Sequence, residues 1–234
     1  MTKKSIGILG GMGPLATADL FRKIVLMTKA ERDSDHIRIY IDDNCFIPDR
    51  TGAILRGGES PLPQMRDSLS KLQACGADCI IMPCNTAHYF LPELKKDACV
   101  PFISILEATA DYCREMYPGK TACILGTAAT LDMKLYDNAL SEKGVKFVTP
   151  SEEGKQTLMR IIYDCVKAGR PVEECRADFE AVIAEGLSYG ADYFVLGCTE
   201  LPIAADELKL PYLFADPTYA LARAAILYCG YETV

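Results

Sequence analysis

Short apolar runs alternate with amphipathic stretches along the whole chain. Residues 5–9, 37–41, 78–83, 102–105, 121–125, 145–148, 192–196 and 212–214 read as short buried strands. Between them, apolar side chains fall at helical spacing. Leu20, Phe21, Ile24 and Val25 form one such stripe, and Met65, Leu69 and Leu72 a second. Leu158, Ile161, Ile162 and Cys165 form a third, and Phe179, Val182, Ile183 and Leu187 a fourth. Strands that alternate with helices predict parallel sheets covered on both faces, with ligands bound beyond the carboxyl ends of the strands.

The pattern also repeats itself. Ile8-Leu9-Gly10 returns as Ile124-Leu125-Gly126, and Gly76-Ala77-Asp78 returns as Gly190-Ala191-Asp192. Cys84-Asn85-Thr86 is matched by Cys198-Thr199-Glu200, and Val100-Pro101-Phe102 by Leu210-Pro211-Tyr212. Blocks in the same order at nearly one offset predict two similar α/β lobes, with a period far longer than that of solenoid repeats. The expected division assigns residues 1–99 and 210–234 to the first lobe and residues 100–209 to the second. Each lobe then presents one cysteine at the end of an equivalent strand.

Composition narrows the chemistry. The chain has 234 residues, half of them hydrophobic, which is enough for a substantial core and excludes disorder. No apolar run approaches a membrane span. Met-Thr-Lys-Lys-Ser leads directly into the first strand and leaves no room for an export signal, so a cytoplasmic protein is expected. A net charge of -7 without a basic block argues against nucleic acid or an anionic membrane as partner. Eleven cysteines in such a setting read as reduced thiols, most of them small core residues. With two histidines, His36 and His88, there is little material for a metal site, and none is expected.

The loop Gly10-Gly11-Met12-Gly13-Pro14 partly fits a dinucleotide fingerprint, with Asp42 and Asp43 ending the next strand. Its counterpart Gly126-Thr127-Ala128-Ala129-Thr130 replaces the glycines with hydroxyls, so a turn that offers helix-start amides to a small anion fits both loops better. Cys84 and Cys198 carry the main signal. Each follows a buried strand and precedes an expected helix, whose amides should lower the thiol pKa. Asn85, Thr86 and Thr199 supply donors suited to a carboxylate. Two opposed acid–base thiols suit inversion of a stereocentre: one removes a proton, and the other returns one to the opposite face. No Cys-x-x-Cys occurs, which argues against a redox pair. A non-catalytic amino-acid sensor would need neither thiol.

These motifs, together with Ile47-Pro48-Asp49-Arg50-Thr51 and Gly197-Cys198-Thr199-Glu200-Leu201, resemble the aspartate/glutamate racemase family over nearly the whole chain. The likeness is greatest to the aspartate racemase branch, because Glu200 stands where glutamate racemases carry histidine. The resemblance implies two flavodoxin-like lobes, a homodimer, no cofactor, and Cys84 and Cys198 as acid and base. It also implies a small acidic amino acid as substrate, aspartate first and glutamate second. Maleate isomerase and hydantoin racemase are the alternatives within the superfamily. Arg50 matches the arginine that holds the substrate side-chain carboxylate, and Lys167, at a helix end, matches its lysine partner. Met12, Asn85, Thr86, Thr127 and Thr199 fall at the substrate site. Thr127 with Thr130 serves equally as a helix cap. Glu200 is left with three roles: orienting Cys198, deprotonating it, or favouring a helix start. His88 reads as structural.

Overall fold

The computed structural model describes residues 3–234; Met1 and Thr2, part of the segment read as carrying no export signal, lie outside them. The chain divides into two compact units. One runs to Ala108 and is completed by Thr218–Val234, and the other is Thr109–Pro217.

The first unit contains β1 (Ile6–Leu9), α1 (Pro14–Met27), β2 (Ile39–Asp42), α2 (Arg50–Leu55), α3 (Leu62–Ala74), β3 (Cys79–Ile81), α4 (Leu91–Leu94) and β4 (Phe102–Ile103). From there α5 (Ile105–Met116) carries the chain onward. The second unit contains β5 (Thr121–Leu125), α6 (Ala128–Asp132), α7 (Asp137–Glu142), β6 (Lys146–Val148), α8 (Glu152–Met159), α9 (Arg176–Ser188), β7 (Tyr193–Leu196), α10 (Leu201–Leu208) and β8 (Phe214–Ala215). The chain ends with α11 (Pro217–Tyr228).

Both sheets are wholly parallel, and their strand orders match: β2-β1-β3-β4 in one and β6-β5-β7-β8 in the other. The repeat in sequence is therefore a repeat of topology. In each unit the order reverses beside the central strand, where the loops after β1 and β3, or after β5 and β7, lie next to each other.

The unit boundaries differ from those expected. β4 pairs with β3 in register Ile80 to Phe102, and β8 pairs with β7 in register Phe194 to Phe214. The segment 100–108 therefore stays with the first unit and 210–217 with the second. The ladder, which the apolar pattern does not reveal, decides which sheet an edge strand joins.

In the first unit one core forms on each side of the sheet. Ile6, Ile8, Leu20, Ile24 and Ile81 pack with Leu221, Ala225 and Ile226 of α11. On the other side Leu9, Met65, Leu69, Leu72 and Ile80 pack with Met12, Ile47 and Cys84. The second unit buries larger rings. Tyr193 stacks on Tyr117 with centroids 4.1 Å apart, and Phe179, Phe194 and Tyr136 are fully buried. Among the described residues no helix is long and apolar enough to cross a membrane.

Candidate active site

The loop after β1 turns on Gly11, whose φ of +84° is open to glycine and strained for other residues. A side chain there would also overlap the backbone of Asn44. Thr17 of α1 holds the loop closed: its Oγ1 accepts from the Gly11 amide at 3.0 Å and donates to the Gly13 carbonyl at 3.1 Å.

Arg50 stands at the start of α2, capped by Asp49, which accepts from the Gly52 amide. The residue is 8% exposed. One terminal nitrogen donates to the carbonyls of Ile47 and Pro48, at 3.1 and 3.0 Å, and the other to the Met12 carbonyl at 2.9 Å. The expected clamp is thus already engaged with backbone, and its first task is to fix the Met12 loop against α2. Its Nε is buried without a hydrogen-bond partner. Of the five guanidinium N–H groups, the bonds to these carbonyls use three. Asn44 is tied to α3 through Gln64 and Ser68.

Cys84, Asn85 and Thr86 are all buried at the end of β3. The turn is tight, with the Cys84 amide donating to the Met82 carbonyl at 2.8 Å. The expected α-helix after Cys84 is a 3-10 turn over Thr86–Phe90, followed by the single turn of α4. Pro92 within α4 has no amide to give to an i−4 bond, and the tighter i−3 pattern prevails before it.

In the second unit Thr127 caps α6, its Oγ1 accepting from the Thr130 amide at 3.2 Å. The Thr127 and Thr130 hydroxyls lie 3.1 Å apart. Cys198 follows β7. Its Sγ donates to Glu200 Oε2 at 2.9 Å, and the Thr199 hydroxyl donates to the same oxygen at 3.4 Å. Lys167 Nζ stands 2.8 Å from Glu200 Oε1. Glu200 begins α10 without making a capping bond. Of its three candidate roles, the helix-start reading is the one its geometry disfavours.

Lys167 reaches Glu200 from the end of a π-helical turn, Arg160–Val166, with its own amide bonded to the Ile162 carbonyl. Its ammonium also lies over the Tyr163 ring, 5.5 Å from the centroid. Lys167, expected on the substrate side-chain carboxylate, is thus the counter-ion of a protein carboxylate.

The thiol expectation is reversed at Cys198. Burial, then the neighbouring Glu200 charge, pushes this thiol well above its usual pKa. Lys167 pulls the other way, and the Glu200 amide, the kind of donor invoked to lower the thiol, contributes least. Cys198 is thus a protonated thiol beside an acceptor. His88, read as structural, joins two backbone segments. Its Nδ1 lies 2.9 Å from the Cys84 carbonyl and its Nε2 accepts from the Ile105 amide at 3.2 Å.

Comparison with known proteins identifies the family. A family model described as Asp/Glu/Hydantoin racemase matches residues 9–225. The chain belongs to that family and is an isomerase of its racemase class. Aspartate racemase from Picrophilus torridus is similar in structure, with a TM-score of 0.85 and 31% identity over 99% of this chain and 96% of that one. The broad specificity amino-acid racemase RacX of Bacillus subtilis (strain 168) is 28% identical over 97% of this chain and 100% of its own length. An aspartate racemase homologue from Pyrococcus horikoshii OT3 shares the fold, with a TM-score of 0.75 and 24% identity over 97% of this chain.

Proposed function

We propose that the protein interconverts the L and D forms of a small acidic amino acid, aspartate before glutamate, using Cys84 and Cys198 as the two acid–base groups. One thiolate removes the proton from Cα while the other thiol donates its proton to the opposite face. The reverse reaction exchanges the roles. The observation that carries this reading is the chain from Cys198 Sγ to Glu200 to Lys167, at 2.9 and 2.8 Å. A buried thiol with a raised pKa is a competent acid. To act as base it must first pass its proton on, and Glu200 Oε2 is placed to receive it. Lys167 orients that carboxylate through the ion pair. The cytoplasmic homodimer implied by the family resemblance, working without pyridoxal phosphate, belongs to the same reading.

Acidic selectivity rests on the buried Arg50 Nε, a donor suited to a carboxylate. A second reading, wider acceptance of amino acids, is favoured by the prior engagement of Lys167 with Glu200 and of both Arg50 terminal nitrogens with backbone carbonyls. One experiment addresses both. Each L-amino acid is incubated in heavy water, then assayed for its D form and for deuterium at Cα. D-aspartate carrying Cα deuterium supports the racemase reading. Binding without exchange for every amino acid tried would make the protein a sensor.

A further inference from the structure

The two candidate thiols sit at equivalent places, yet the backbone holds them by different means. In the second unit the Cys198 carbonyl accepts from the Leu201 amide at 2.9 Å. The chain itself fixes that residue. In the first unit the His88 amide, which an α-helix would direct to the Cys84 carbonyl, donates instead to Asn85 at 3.0 Å. The Cys84 carbonyl is left to the His88 ring.

The ring's chemistry admits one arrangement. A carbonyl can only accept, so Nδ1 carries the proton it gives to Cys84; the Ile105 amide can only donate, so Nε2 is bare. His88 is therefore the neutral Nδ1–H tautomer. It spans from the Cys84 backbone to the first residue of α5, whose amide is one of the helix-start donors with no partner inside the helix. The residue at the matching place in the second unit is Pro202, which has neither ring nitrogen nor amide proton to offer.

We infer that His88 is a positioning residue for Cys84, fixing the thiol's approach to Cα through its Nδ1–H bond to the Cys84 carbonyl. The inference rests on the two-thiol reading, in which Cys84 is one of the two bases. It assigns His88 no proton transfer to substrate. Proton transfer is steep in distance and angle, and a displacement of about 1 Å can cost on the order of 100-fold in rate. Loosening this anchor therefore disables one face of the reaction and leaves the other intact.

Two conservative variants separate the ring's two bonds. In His88→Asn the amide nitrogen sits near the place of Nδ1 and can still donate to Cys84. In His88→Gln the amide oxygen reaches the place of Nε2 and can still accept from Ile105. His88→Asn is expected to keep kcat within a few-fold of the parent, even with a lower Tm. His88→Gln is expected to lose about 10- to 100-fold in kcat with little change in KM. In heavy water His88→Gln should still exchange the Cα proton of one enantiomer, the same one that Cys84→Ala still exchanges. Should Asn and Gln lose activity alike, in step with Tm, or should exchange fall equally for both enantiomers, His88 is merely structural. If His88→Asn does not fold, the enantiomer-selective exchange of His88→Gln decides alone. Cys84→Ala is the control: if that variant still racemises, the two-thiol reading fails, and not the anchor.

Discussion

Arg50 combines two tasks on one guanidinium, and substitutions should separate them. Removing it frees three backbone carbonyls, those of Met12, Ile47 and Pro48, and so loosens the loop for any substrate. It also removes the guanidinium N–H groups not used in those bonds, Nε among them, which the proposed reading gives to the substrate carboxylate. Arg50→Ala should therefore slow every substrate, and aspartate by a further 10- to 150-fold or so, the typical worth of a charge-assisted hydrogen bond. Arg50→Lys should be impaired as well, because a point charge cannot reproduce the fork. Comparing kcat/KM for aspartate and alanine checks this; an equal loss for both would leave Arg50 a loop anchor only. Glu200→Gln is the matching test in the second unit. It keeps the shape, but takes away the proton acceptor and the charge that faces Lys167. Racemisation should fall by at least about 100-fold, the range of a lost general base. Exchange initiated by Cys84 should persist. A near-normal rate would reduce Glu200 to a structural ion pair.

Among the elements, the short segments around the thiols carry the constraints, and His88 makes one of them sensitive to acid. Burial, as the main cause, pushes the His88 pKa from 6.5 to about 4, outweighing its bond to the Cys84 carbonyl. The neutral ring is thus favoured in the fold, and its contribution is complete above about pH 6.5, the unfolded value. As pH falls from there towards 4 the unfolded chain takes up a proton that the fold refuses. Stability should then decline by up to about 3 kcal/mol from this group. Urea unfolding at pH 7 and at pH 4.5 should reveal the loss, and His88→Asn should flatten it; an unchanged slope would remove His88 as the cause. The element types were largely legible in sequence, since period-two and helical patterns follow from which face is buried. The departures have local causes. Leu158, Ile161, Ile162 and Cys165 suit an α-helix, but the chain widens into a π-helical turn over part of this stretch and so delivers Lys167 to Glu200. Apolar spacing does not distinguish the two registers over so few residues. The 3-10 turn after Cys84 is hidden for the same reason. The cysteines are singled out by their place in the repeat, and Arg50 and Lys167 by the family resemblance. The partners of Lys167 and Arg50 are not written in residue type, since a cation meets whichever acceptor the fold brings within reach.

At the scale of the whole molecule, the repeat makes a prediction that neither unit makes alone. Two sheets of identical strand order each deliver one cysteine from the equivalent central strand. A single half-site can remove and return a proton only on its own face, and inversion needs both. Cys84→Ala and Cys198→Ala should therefore each abolish racemisation in both directions. Each should retain Cα exchange of one enantiomer in heavy water, and the two variants should retain opposite enantiomers. The proposed reading gives the second unit a Glu200 relay and the first a His88 anchor. Glu200→Gln should accordingly resemble Cys198→Ala in the enantiomer it still exchanges, and His88→Gln should resemble Cys84→Ala. Iodoacetamide should inactivate the parent enzyme, and aspartate should protect it. Nuclear magnetic resonance of the Cα proton, run on each enantiomer with the four variants, reads all of these outcomes. The decisive pattern is two pairs of variants with opposite selectivity. If both cysteine variants keep exchange of the same enantiomer, the thiols do not serve opposite faces, and the matching topology of the two units has no counterpart in the chemistry.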